Sequence, residues 1–194
     1  MIQQYSSAIF IAISLFTTSL ALSGCTTVVG AGATVAVAAI QERGIKGRAS
    51  DLRIEALILK HYVNSSIKLT TTIGVEVYEG RVLLTGATND TAIADEAIKL
   101  AWKVSGVKNV INEIQAGVAS SVFNFGEDTW ITAQVKSKIT FDEQIYSINY
   151  SIKTVNGTVY LIGIAQNKSE HARVKQHASQ IKFVSKVISH VRIK

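Results

Sequence analysis

Gly80-Arg81-Val82-Leu83-Leu84-Thr85-Gly86 decides the fold, because the same pattern returns as Gly157-Thr158-Val159-Tyr160-Leu161-Ile162-Gly163. Each stretch places a mainly apolar run between two glycines, and the second lies 77 residues after the first. The same offset aligns residues 51–116 with residues 128–193 without a gap, and glycines and apolar residues keep their register throughout. The chain therefore contains two copies of one small fold.

Each copy is predicted to fold in the order α-β-β-α-β. A first helix begins near Asp51 or Asp128, a residue type typical of helix N-caps. Two strands follow, joined at Glu79-Gly80 and Asn156-Gly157, and Asn-Gly between apolar runs is a strong hairpin signal because both turn residues need positive φ. A second helix and a closing strand complete the copy. The residues predicted to face the core are Ile54, Ile58, Ala97, Ala101 and Val104, and then Ile131, Val135, Val174, Ala178 and Ile181. The fold class is α+β, a sandwich with helices on one face of a small sheet.

The N-terminus has the pattern of an export signal. Residues 8–22 are almost entirely apolar or small, which is short for a membrane span but typical of a signal-peptide core. Leu22-Ser23-Gly24-Cys25 follows directly and holds the single cysteine of the chain. This run resembles the lipobox of bacterial lipoproteins, which implies cleavage after residue 24 and lipidation of Cys25. The alternative is a buried cysteine behind an uncleaved helix.

Residues 25–50 are interpreted as a lipidated tether, rich in Gly, Ala and Val up to Ile40. The alternatives for this segment are a flexible chain and a short apolar helix that lies on the membrane. Residues 117–127 are the predicted linker between the copies. Its Phe123 and Phe125 either pack between the domains or remain free.

The copies resemble a known family in their glycine-bounded hairpin strand, the helix after it and the closing Val-x-x-Val strand (Val107 and Val110, Val184 and Val187). These features are similar to BON domains, and two such units behind a lipobox resemble the dual-BON outer-membrane lipoproteins, from Cys25 to Lys194. The domains are then 1–24 signal peptide, 25–50 tether, 51–116 BON domain 1, 117–127 linker and 128–194 BON domain 2. The resemblance implies attachment to the periplasmic face of the outer membrane, binding of anionic, phosphatidylglycerol-like phospholipid, and support of envelope integrity, including at the division site.

The basic charge of the chain lies in its second copy. Residues 51–116 have a net charge of −1, whereas residues 128–194 have a net charge of +6. Anionic lipid, nucleic acid and an acidic protein are the partners that such a surface attracts, and an exported protein does not normally meet nucleic acid. A merely solvated basic face is the remaining alternative.

The first helix of the second copy is the candidate contact surface. If Ile131 and Val135 face the core, the helix turns Trp130 outward, where the first copy has Arg53. The predicted lipid-binding residues are Trp130, Ala133, Gln134, Lys136, Ser137, Lys138 and Phe141. An outward Trp with nearby lysines is typical of an interfacial helix, because the indole lies at headgroup level and ammonium groups meet phosphates. The resemblance implies the same helix.

Two alternatives stay open for Trp130. It packs against the first domain, or its face binds an envelope assembly or division protein, which would make the chain a periplasmic adaptor. Catalysis is not predicted, because His61, His171, His177 and His190 lie apart without a carboxylate at helical spacing. No cofactor or metal site is predicted either, and no sequence feature specifies the oligomeric state.

Overall fold

The two copies share the predicted order of elements. The computed structural model describes residues 41–117, the first repeat, and residues 122–194, the second repeat. The first repeat contains α1 (Gly44–Ser65), α2 (Ile67–Thr72), β1 (Ile73–Tyr78), β2 (Arg81–Thr88), α3 (Thr91–Trp102) and β3 (Asn109–Ala116). The second contains α4 (Val122–Thr140), a 3-10 turn (Ser147–Asn149), β4 (Tyr150–Val155), β5 (Thr158–Ala165), α5 (Lys168–Ser179) and β6 (Lys186–Ile193). The α+β class is confirmed, with α2 and the 3-10 turn as additions.

The repeated heptapeptide forms the central strand of each three-stranded sheet. β2 pairs antiparallel with β1 and parallel with β3, and β5 does the same with β4 and β6. Val82 and Leu84 face the helices, whereas Leu83 faces the other side of the sheet, and all three are fully buried. Every inward-facing residue that the sequence predicted is buried. A strand buried on both faces reads as a continuous apolar run, which explains the motif.

Both glycines of the motif have a steric reason. The turn residues Glu79 and Gly80 have φ of 54° and 77°, the left-handed conformation that a two-residue hairpin requires. At the far end, a Cβ on Gly86 would lie 2.3 Å from the carbonyl oxygen of Thr72. The equivalent Cβ on Gly163 would lie 2.0 Å from a backbone oxygen. The second glycine therefore allows the chain before β1 or β4 to cross the sheet closely.

The prediction that Asp51 and Asp128 cap the first helices is wrong. Both residues lie inside a helix rather than before its first turn, because α1 begins at Gly44 and α4 at Val122. Both are also buried. The Asp51 carboxylate accepts hydrogen bonds from the backbone N–H groups of Glu79 and Gly80, at 2.8 and 2.9 Å. The Asp128 carboxylate does the same in the second hairpin turn, at 2.7 and 2.8 Å. Each carboxylate ties the first helix to the hairpin instead of satisfying the helix end.

The tether and the linker are shorter than the sequence suggested. Residues 44–50, assigned to the tether, are the first two turns of α1, and the Gln41 amide donates to the carbonyl oxygen of Ile148 at 2.7 Å. Phe125, assigned to the linker, lies in α4 and is 71% exposed, so it does not pack between the repeats. The predicted signal peptide, Cys25, the predicted tether up to residue 40 and the Phe123 side chain lie outside the described part of the structure.

The repeats pack against each other through the sheet faces that carry no helices. Tyr78, Leu83 and Ala87 of the first repeat form one buried cluster with Val155, Tyr160, Ile162 and Ile164 of the second. Burial raises the pKa of Tyr78 to about 12. The domain interface is therefore an apolar cluster in its own right, smaller than the two helix–sheet cores.

Polar contacts around this interface follow a pseudo-two-fold relation. Glu76 faces Lys153 at 3.8 Å and Glu113 faces His190 at 2.8 Å, and in both pairs the partners are equivalent positions of the repeats. Glu79 binds Arg192, and the equivalent pair, Asn156 and Gln115, is joined by a 2.8 Å hydrogen bond. Reciprocal contacts of this kind define an isologous interface, here formed within one chain.

Asp128→Asn is expected to lower the free energy of unfolding by about 2 kcal/mol, because one amide oxygen replaces two acceptors for one buried and one partly buried N–H group. Asp51→Asn is expected to cost more, about 4 kcal/mol, since it also removes the carboxylate that pairs with the buried Arg43 guanidinium. Urea unfolding measures both. The control is Asp95→Asn on the exposed face of α3; an equal loss in this variant would contradict the role of the two carboxylates.

Candidate functional site

The candidate site is the outward face of α4 in the second repeat. Ile131, Val135 and Ile139 of this helix are buried in the repeat's core. Trp130 precedes the first of them and is 43% exposed, although it is one of the largest apolar side chains. Among the described helices, none is long and apolar enough to cross a bilayer.

The predicted residues divide between two sides of the helix. Ala133, Lys136, Ser137, Lys138 and Phe141 are exposed together with Trp130, while Gln134 is half-buried. Helical spacing aligns Trp130, Gln134, Ser137 and Phe141 in one row, because these positions are four, three and four residues apart. Lys138 lies beside this row. Lys136 instead lines a groove between the repeats, so the helix does not bring all seven residues to one surface.

Phe183 belongs to the same surface and was not predicted. Its ring meets Trp130 edge-on, with 6.1 Å between the ring centroids and an interplanar angle of 68°. The ammonium group of Lys182 lies 4.5 Å from the centroid of the Phe183 ring. Phe183 is 51% exposed. We call Trp130, Phe183 and Lys182 the aromatic patch.

The backbone of Phe183 is in an unusual conformation. Its φ is +69°, which is uncommon for any residue with a side chain and an outlier for a bulky one. The equivalent position of the first repeat is Gly106, with a φ of +100°. The second repeat thus keeps an aromatic residue where the turn favours glycine, at a cost of about 1 kcal/mol. The 77-residue offset aligns Phe183 with Gly106. A phenylalanine at the position of a turn glycine is therefore the sequence signal that could have identified Phe183.

The first repeat lacks these aromatic residues. The positions equivalent to Trp130, Phe141 and Phe183 are Arg53, Asn64 and Gly106. The net charge differs as well, −1 for residues 51–116 against +6 for residues 128–194. One fold therefore presents two different surfaces, and only the second combines exposed aromatic rings with an excess of lysine and arginine.

Three of the four histidines have partners that sequence spacing did not reveal. His177 meets the Asp142 carboxylate at 2.7 Å, and this hydrogen bond lowers the pKa of Asp142. His190 meets Glu113 across the domain interface, and His171 meets the hydroxyl of Ser189. Within the described residues no three His, Cys, Asp or Glu side chains are placed to hold a metal ion. Each of these contacts joins segments that are distant in the sequence, and we interpret them as structural contacts.

The fold, with its duplicated hairpin and the crossover to a parallel third strand, belongs to a known family. The BON domain model matches residues 50–117 and 127–194. The chain therefore belongs to the BON-domain family and contains two copies of that domain.

Three relatives extend over most of the chain. Outer membrane lipoprotein DolP of Haemophilus influenzae is 32% identical over 86% of this chain and 87% of its own length. An uncharacterized protein of Anaplasma centrale is 39% identical over 74% of this chain and 91% of its own length. Osmotically-inducible protein Y of Escherichia coli is 28% identical over 73% and 70%. The similarity to DolP confirms the predicted resemblance to dual-BON lipoproteins.

Backbone strain at residue 183 has a measurable consequence. Phe183→Gly is expected to change the free energy of unfolding by less than about 1 kcal/mol, because relief of the positive φ offsets the lost aromatic contact. Phe183→Ala keeps the strain and loses the contact, so it should be less stable than the Gly variant by about 1 kcal/mol. Thermal or urea unfolding compares the two. An Ala variant as stable as the Gly variant would show that the turn is unstrained.

Proposed function

We propose that the protein is an outer-membrane-anchored lipoprotein whose second BON domain binds anionic phospholipid and thereby supports envelope integrity, including at the division site. The aromatic patch is the observation that carries the proposal. Trp130 and Phe183 present two partly exposed rings beside the Lys182 ammonium group. Aromatic rings of this kind insert at headgroup level, and a lysine next to them pairs with lipid phosphate.

The anchor rests on the N-terminal pattern and on similarity. Leu22-Ser23-Gly24-Cys25 follows an apolar run, and Thr26 after the cysteine resembles lipoproteins that are sorted onward to the outer membrane. A relative that is 32% identical over 86% of this chain is named an outer membrane lipoprotein. The acyl chains on Cys25 hold the protein at the membrane, and the second domain adds a reversible contact with phosphatidylglycerol-like headgroups.

Charge adds range and salt dependence to this contact. The +6 net charge of residues 128–194 attracts an anionic surface, at about 1 kcal/mol for each Lys or Arg near the headgroups. Lys182 belongs to the aromatic patch, and Lys138 lies beside the row that begins at Trp130. Both are exposed and are the first candidates for this role. At physiological salt the attraction decays over a Debye length of about 8 Å, and this length shortens as salt is raised. Binding should therefore weaken at higher salt.

Trp130→Glu is expected to reduce binding to phosphatidylglycerol-containing vesicles by more than about tenfold, because a carboxylate replaces the inserting ring and repels phosphate. Co-sedimentation of residues 26–194, which lack both the signal peptide and Cys25, removes the contribution of the acyl anchor and measures this directly. Trp102→Glu is the matched control, since Trp102 is 52% exposed but lies in the first repeat. Zwitterionic vesicles should bind neither protein appreciably.

The result also separates the adaptor alternative. If Trp130→Glu leaves vesicle binding intact, the lipid-docking hypothesis is wrong. If that variant instead loses association with an envelope protein, the patch is a protein-binding surface and charge serves only to steer the encounter.

Replacement of residues 1–25 by a signal peptide that is cleaved without a lipobox is expected to move the chain from the outer-membrane fraction to the soluble periplasm when cells are fractionated. The contact through the second domain alone is reversible, whereas two or more acyl chains anchor stably. A chain without residues 1–25 that remains in the membrane fraction through washing at high salt would contradict the lipid anchor at Cys25.

A further inference from the structure

Helix α1 has a second apolar face that nothing in the described structure covers. Its members are exposed and spaced four, three, four, three and four residues apart: Ile45, Ala49, Leu52, Ala56, Leu59 and Val63. We call them the α1 stripe. The four large members are between 36% and 58% exposed. The stripe runs for about 27 Å at 1.5 Å per residue.

The core of the first repeat does not use this face. Ile54, Ile58 and Tyr62 of the same helix are buried against the sheet and lie roughly opposite the stripe. In the second repeat, the positions equivalent to Leu52, Leu59 and Val63 are Thr129, Lys136 and Thr140. Since the same fold forms there with polar residues, the stripe is not a requirement of the fold.

The width of the stripe favours a helix as its occupant. A strict spacing of three and four residues gives a narrow seam, the pattern of helices that pack along their length. The small Ala49 and Ala56 alternate with the large Leu52 and Leu59, so a second helix can approach closely and be gripped between the leucines. The stripe contains no aromatic residue, which distinguishes it from the aromatic patch and from a typical interfacial helix.

Charge identifies the kind of helix. Lys46, Arg53 and Lys60 recur every seven residues along one flank of the stripe, and none of them forms an ion pair with another described residue. These are the flanking positions that choose partners in helix pairs. The other flank carries Arg48 and Glu55, so the two flanks together hold four basic residues and one acidic residue and favour a partner with an excess of Glu or Asp. A second copy of the chain is the weaker occupant, because an antiparallel pair would set the basic row against itself, and a parallel pair would set Arg48 against Arg53 and only Glu55 against Lys60.

We propose that the α1 stripe binds an amphipathic helix of a partner protein that carries Glu or Asp beside its apolar seam. This surface lies on the first repeat, and the proposal does not depend on lipid binding by the second. The apolar seam supplies the affinity, and the basic row selects an acidic flank over a basic one.

Two designed peptides of roughly four heptads test the proposal, both with Leu at the seam positions and with either Glu or Lys at every flanking position. The full-length chain is placed in zwitterionic nanodiscs, and peptide binding is followed by fluorescence anisotropy. The Glu peptide is expected to bind and the Lys peptide to bind at least about tenfold more weakly. Leu52→Glu should weaken the Glu peptide by more than about tenfold, because it buries an unpaired carboxylate in the seam.

Ile67→Glu is the matched control, since Ile67 is 71% exposed but lies off the stripe in α2, and this variant should bind like the parent. A chain with Lys46, Arg53 and Lys60 all changed to Glu should prefer the Lys peptide, a gain that misfolding cannot produce.

Several results would overturn the proposal. They are equal binding of the two peptides, binding that Leu52→Glu leaves unchanged, and no binding of the Glu peptide. A dimer in sedimentation that Leu52→Glu dissociates would assign the stripe to a second copy. If Leu52→Glu loses vesicle binding and neither peptide binds the parent chain, the α1 stripe would be assigned to the membrane.

Discussion

The structure depends on one interaction used twice, a buried helix carboxylate that accepts hydrogen bonds from two backbone N–H groups of a hairpin turn. Asp51 and Asp128 fix the height and rotation of the first helix of each repeat on its sheet. Because the Gly80 and Gly157 N–H groups are buried, losing their acceptor costs more than losing a surface hydrogen bond. The same carboxylate sets the direction of the residue two positions later. That residue is Arg53 in the first repeat and Trp130 in the second, so the pair that orders the fold also aims the candidate site.

Much of the fold was predictable because its signals are local. Positive φ at Asn156-Gly157 and helical spacing at Ile131 and Val135 need only neighbouring residues, and both were predicted correctly. Asp128 was misread because an aspartate suits both a helix N-cap and a turn acceptor, and its true partners lie 28 and 29 residues away. Phe183 was missed because its partner is also distant in the sequence. Its contact with Trp130 joins segments that only tertiary packing brings together.

The two repeats use equivalent helices for different surfaces. In the second repeat, the exposed Trp130 of α4 contacts Phe183, whose positive φ strains the turn, and Lys182 lies over the Phe183 ring. In the first repeat, α1 presents a long apolar seam with a basic flank and no aromatic residue. The core positions beneath the two helices are alike, so the divergence concerns only what faces outward. Fold stability and surface chemistry have therefore changed separately, as expected when the buried residues carry the packing.

The pairs Glu76–Lys153 and Glu113–His190 lie where equivalent positions of the repeats meet. If one repeat associated with its own duplicate, each such position would face the same residue, and Glu would oppose Glu. Covalent linkage of two unequal copies removes that symmetry rule and permits opposite charges there. Each repeat is consequently a poorer partner for itself than for its neighbour in the chain. This mismatch disfavours the pairing of two first repeats or of two second repeats, so a contact of this kind between two molecules has to join a first repeat to a second one.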